Sequence, residues 1–243
     1  MGARATLPAN KPRMTVQPGT RLMILTGLLL LSLFFWHSVA LYPVKLFVVL
    51  LHELSHALAA LLTGGSIVEI QIDSRIGGMA LTRGGWPFVI VSAGYVGSML
   101  FGGIILLLSL RDRMVPVLTI VIGALVLLIT LLFVRNAFGL MFGVAFAAAL
   151  FAAVRWLPTN WLSLLVQYLG AMSCLYALID VARDLLTFED RLTDAAILAG
   201  MTGIPAIVWG VLWSTLSLLV FILIMRLALR AAAAKRHSIH NES

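Results

Sequence analysis

His52 and His56 stand four residues apart in the stretch FVVLLHELSHALAALLT, residues 47–63, with Glu53 directly after the first. On a helix, at about 100° per residue, the two imidazoles lie about 40° apart on one face and can reach a single metal ion. Glu53 then sits beside that ion, where a carboxylate can take a proton from an attacking water. HELSH therefore fits the pattern of a zinc-dependent peptide hydrolase, with His52 and His56 as ligands and Glu53 as general base. The run around it is apolar enough to cross a membrane. An ionisable side chain there costs about 3 kcal/mol unless it is paired, metal-bound or facing water, so three together mark a functional site.

A catalytic zinc needs a third protein ligand and an open position for water, so other elements must complete the site. Composition limits what those elements are. The chain has 243 residues, 61% of them hydrophobic and only 11% charged. That is the signature of a multi-pass membrane protein: an all-α bundle of about six to seven transmembrane helices, with no soluble domain to carve out. The net charge of +7 does not imply nucleic acid, because the basic residues gather at the two ends and at turns between apolar runs. Membrane flanks explain that placement. Cys174 is the only cysteine, which excludes an intrachain disulfide and a multi-cysteine metal site.

Residues 1–21 form a basic tail expected in the cytoplasm, residues 22–230 a single membrane domain, and residues 231–243 a polar tail. The apolar run from Leu22 to Tyr42 reads as a retained transmembrane helix, and Pro43 opens the helix that carries HELSH. Gly64 and Gly65 stop it. Alternation at Ile70, Ile72, Met79 and Leu81 predicts a short β-hairpin at the membrane surface, whose edge can hold an extended substrate. A third span, Trp86 to Leu110, places Gly94, Ser98 and Gly102 four residues apart, a face that lets helices approach closely in lipid. Spans at 115–134 and 137–156 carry no histidine or carboxylate and read as scaffold. A sixth span, about 160–179, leads into the acidic region with Asp180, Asp184, Glu189, Asp190 and Asp194, and a seventh covers about 204–229. Seven crossings would leave the two basic termini on opposite sides, whereas charge bias puts both in the cytoplasm. A re-entrant run, or a count of six or eight, would remove the conflict.

The segment HELSHALAALLTGG resembles the zinc motif of the site-2 protease family of intramembrane metalloproteases, in its compact peptidase M50B-like branch. SAGYVGSMLFG, and later CLYALIDVARDLL with TDAAILA, are similar to segments of that branch. The resemblance implies one zinc ion, cleavage of membrane-protein substrates, and a third ligand that is an aspartate on a later transmembrane helix, usually within Leu-Asp-Gly. This chain has neither that triplet nor Asn-x-x-Pro before it. Asp180, which ends the sixth span, is the expected third ligand, with Asp194 the alternative. Asp184, one turn after Asp180, is placed to orient a ligand or pair with Arg183 or Arg191.

The expected activity is hydrolysis of a peptide bond in or near a transmembrane segment of another membrane protein, in the plasma (inner) membrane of a bacterium. A non-catalytic protein of the same fold that binds or chaperones transmembrane helices is the alternative. Two histidines and a carboxylate suit zinc, and also iron or cobalt. Ser92 lacks a glycine-flanked elbow and does not read as a nucleophile, and His37 reads as an interfacial residue.

Overall fold

The apolar runs fold as helices because a segment in lipid must satisfy its own backbone hydrogen bonds. A computed structural model of the chain describes residues 18–186 and 193–240. In order these form α1 (Pro18–Phe34), a 3-10 turn (Val39–Leu41), α2 (Tyr42–Leu62), β1 (Ser66–Asp73), β2 (Gly77–Arg83), α3 (Pro87–Ser109), α4 (Val115–Phe133), α5 (Ala137–Trp156), α6 (Thr159–Leu186), α7 (Asp194–Thr202) and α8 (Ala206–His240). Among the described residues, five helices are long and apolar enough to cross a membrane: α2 with the turn before it, α3, α4, α5 and the first part of α8. The chain is thus an all-α multi-pass membrane protein with one two-stranded hairpin. Proline in the first turn starts α2, α3 and α4, since its fixed φ suits a helix start and its missing N–H is not needed there.

The hairpin forms as the alternation predicts, antiparallel with Ile72 opposite Gly78 and Ile70 opposite Ala80. It is more than a surface feature. Ile70 and Ile72 are fully buried in the main core with Phe47, Leu50 and Val134. Val134 bridges Ile70 on the outer side of β1, and the Asn136 side chain bonds both the N–H and the C=O of Ile72. Tyr42 Oη donates to the Ser74 carbonyl at 2.7 Å, so the hairpin tip reaches the start of α2 while its base adjoins the end of α2. Both edges of β1 are therefore occupied, and β2 is the outer strand.

α3 runs beside α6 with the close approach its small residues predict: a Cβ on Gly102 would meet Ser173 and the Gly170 carbonyl. The Cys174 thiol bonds the Met99 carbonyl and Gln167 the Ser109 carbonyl. α2 is antiparallel to α3, with His56 at Ile90 and Ser55 at Gly97. α8 runs in the same direction as α3, Trp209 meeting Phe88 and Ile224 lying against Gly103.

One end of the bundle is marked by a polar cluster. Arg21 in the first turns of α1 pairs with Asp112 in the α3–α4 turn and bonds Asn160, and Ser163 donates to Asp112. α1 follows α6 inward from there, with Ser32 bonded to Tyr168 and Trp36 stacked on Tyr176, about midway along α6. The chain then turns back into α2. Buried Lys45 holds this turn, donating to the Trp36 carbonyl and lying 4.5 Å over its ring. The apolar part of α1, Met23–Phe34, is shorter than the five helices above, where the sequence predicts a transmembrane helix over Leu22 to Tyr42. The start of α1, bonded to Asp112 after α3, and the end of α8, which runs in the direction of α3, lie at the same end of the bundle.

Candidate metal centre

α2 is helical through HELSH, so His52, Glu53 and His56 share one face, turned into the bundle toward α3 and the hairpin. His56 Nδ1 lies 2.7 Å from the Ile90 carbonyl in the second turn of α3. A proton on that nitrogen would leave Nε2 as the lone-pair donor, the usual way a protein sets the tautomer of a ligating imidazole. The edge of Tyr95 packs on the His52 ring with centroids 5.0 Å apart.

The carboxylate that meets these rings is Asp194, the first residue of α7. Its Oδ2 is 3.1 Å from His52 Nε2 and 3.3 Å from His56 Nε2. One ligand atom from each of the three residues lies within 4.8 Å of the others. Burial pushes the Asp194 carboxyl up, and the His56 charge together with hydrogen bonds to both imidazoles outweighs it, holding the group below the ordinary carboxylate range. Asp180, the expected third ligand, falls within α6, but its side chain, like that of Asp184, lies outside the described residues, as do Glu189 and Asp190 altogether. The alternative, Asp194, is the carboxylate found at the histidines. Ser92 and His37 are not in this group.

α7 puts Asp194 there through two local features. Thr193 caps the helix by accepting from the Ala196 N–H, which fixes the chain direction entering it. Ala195 and Leu198 then bury against Tyr95, Trp209 and Trp213. The cap before an apolar turn, TDAAILAG, is a sequence signal that a helix begins at Asp194.

Two glycines make room at the centre, and neither was singled out for this from sequence. A Cβ on Gly94 would overlap Nε2 of both histidines, so α3 leaves a space free of side chain where the donor atoms converge. A Cβ on Gly78 of β2 would come within 2.6 Å of the Glu53 carboxylate, so β2 lies directly against it. Two imidazole nitrogens and one carboxylate around such a space fit a catalytic zinc, with Glu53 beside it. Gly78 also lines an open cavity of about 520 Å³ bounded by Gln71 to Met79, Asn136 and Phe138.

Gly94→Ala tests the fit. The added methyl is expected to weaken zinc binding by about 10- to 100-fold, the scale of loss when a ligand is displaced from its held position, as measured by zinc content after equilibration in a metal buffer.

A polytopic helical bundle that brings two histidines, an aspartate and a glutamate together inside it has the make-up of a membrane metallopeptidase. The Peptidase M50B-like family model matches residues 24–224, and the chain belongs to that family. No curated protein and no solved structure gives a significant match.

Proposed function

We propose that the chain is a zinc-dependent intramembrane endopeptidase that hydrolyses a peptide bond in or near a transmembrane segment of a membrane protein. The observation that supports this best is the convergence of His52, His56 and Asp194 within 4.8 Å, inside the bundle and beside Glu53. His52 Nε2, His56 Nε2 and one Asp194 oxygen hold the ion in this reading, in a bacterial inner membrane. Bound zinc supplies Lewis acidity, which lowers the pKa of water toward about 7 and polarises an amide carbonyl.

The residues of the chain supply the rest. Glu53 accepts the proton of the attacking water and delivers it to the departing amine, so that the two products are a carboxylic acid and an amine. The side-chain-free surface of Gly78 leaves room for the Glu53 carboxylate against β2. The outer edge of β2 carries no partner strand among the described residues, and main-chain hydrogen bonds along it would hold a substrate extended next to Glu53.

The test is reconstitution. Purified protein in liposomes is expected to cut a membrane-spanning peptide within its apolar segment, to stop when a zinc chelator is added and to resume with about one zinc per chain. Cleavage that is indifferent to the chelator, or confined to soluble peptides, would overturn the reading.

A further inference from the structure

We infer that Tyr95 is a positioning residue of the metal centre: its ring sets the plane of the His52 imidazole and also helps to seat α7, so that His52 and Asp194 reach the ion together. This role rests on the reading of His52, His56 and Asp194 as the ligands of one zinc ion.

An imidazole serves as a ligand only when its lone pair points at the ion, and the torsion that turns the ring, χ2, has broad preferences of its own. Neighbours must therefore set it. For His56 the structure shows a direct anchor, with Nδ1 2.7 Å from the Ile90 carbonyl. His52 is met by two rings, His56 at 4.7 Å and 77° and Tyr95 at 5.0 Å and 76°, both edge-to-face. Turning His52 about χ2 would spoil the edge-to-face geometry that aromatic quadrupoles prefer. It would also take Nε2 out of its 3.1 Å approach to Asp194.

A neighbour orients a ligand only if it is itself held by packing. Tyr95 is 3% exposed and shares a buried cluster with Ala195 and Leu198 of α7 and Trp209 and Trp213 of α8, with Phe88 packed against that cluster. Ala195 follows Asp194 directly in the chain, so the seat of α7 begins one residue after the carboxylate that meets the histidines. Tyr95 therefore stands at the junction of α2 and α7, the two helices that bring the ligands. It is carried by α3, which brings none.

Two successive residues of α3 divide the work. Gly94, without a side chain, leaves the space where the donor atoms converge, and Tyr95, about 100° further round the helix, puts a large ring against His52. The hydroxyl is not part of this role. A phenyl ring of the same shape would serve, whereas an aliphatic side chain would not, because it has no ring edge to present to the imidazole.

Metal binding by the full chain, with zinc for affinity and cobalt as a visible probe of ligand geometry, reads this without any cleavage. Tyr95→Leu is expected to weaken zinc binding by about 10- to 100-fold, the scale for losing a residue that holds a ligand in place, and to alter the absorption of the cobalt-saturated protein. Tyr95→Phe is expected to keep both affinity and spectrum close to the wild type. Phe88→Leu, in the same cluster but packed on Trp209 rather than on His52, separates orientation from packing and is expected to keep the spectrum. Wild-type affinity and spectrum in Tyr95→Leu, an equal loss in Tyr95→Phe, or the same spectral change in Phe88→Leu overturns the role. Should Tyr95→Leu fail to accumulate, Tyr95→Met takes its place with the same expectation. A wild-type protein that takes up neither metal would sink the metal-centre reading and this role with it, whereas uptake indifferent to Tyr95→Leu sinks the positioning role alone.

Discussion

Glu53→Gln is expected to reduce cleavage of a membrane-spanning peptide by about 10³-fold or more while leaving about one zinc per chain, because the amide can neither take nor return the proton of the attacking water. Glutamine keeps the length of the side chain, so its fit against Gly78 of β2 survives. The histidines and Asp194 are untouched. Paired measurement of turnover and metal content separates loss of the base from loss of the ion. Cleavage at near wild-type rate would remove Glu53 from the mechanism, and zinc loss in this variant would make it a ligand instead.

Asp194→Ala is expected to empty the site, and Asp180→Ala to leave it filled. Removing a ligand should weaken binding by more than the about 10- to 100-fold typical of losing a residue that only holds a ligand in place. The alanine also leaves both Nε2 atoms without the oxygen that now lies 3.1 and 3.3 Å away. Zinc content of the two purified variants, each equilibrated in the same metal buffer, reads the difference directly. Normal zinc in Asp194→Ala together with zinc loss in Asp180→Ala would return the third-ligand role to Asp180.

Much of this protein is legible from local pattern. Apolar runs of about 20 residues mark the helices, since length and hydropathy suffice where the backbone must satisfy itself. Helical geometry alone puts His52 and His56 on one face with Glu53 beside them. The four-residue spacing of Gly94, Ser98 and Gly102 announces a close helix contact, and alternation announces the hairpin. What local pattern does not carry is the meeting of distant segments. Asp194 lies 142 residues beyond His52, on a nine-residue helix too short to span. Its approach to the histidines depends on Ala195 and Leu198 finding Tyr95, Trp209 and Trp213, a packing choice that no periodicity in 193–202 specifies. Asp180 stood out because it ends an apolar run, a property of one helix, whereas ligation is decided by which helix ends converge. The role of Gly94 as the empty space at the centre and of Gly78 as the neighbour of Glu53 likewise exists only once α3 and β2 are docked. The course of α1 follows the same logic. Leu22 to Tyr42 is apolar throughout, but its start is drawn to Asp112 and Asn160 and Trp36 is held by Lys45 and Tyr176, so α1 ends at Phe34 and the chain turns into α2. The residues of the motif thus follow from the covalent geometry of one helix, while the approach of the Asp194 carboxylate to them follows from interactions between helices, which tertiary packing alone decides.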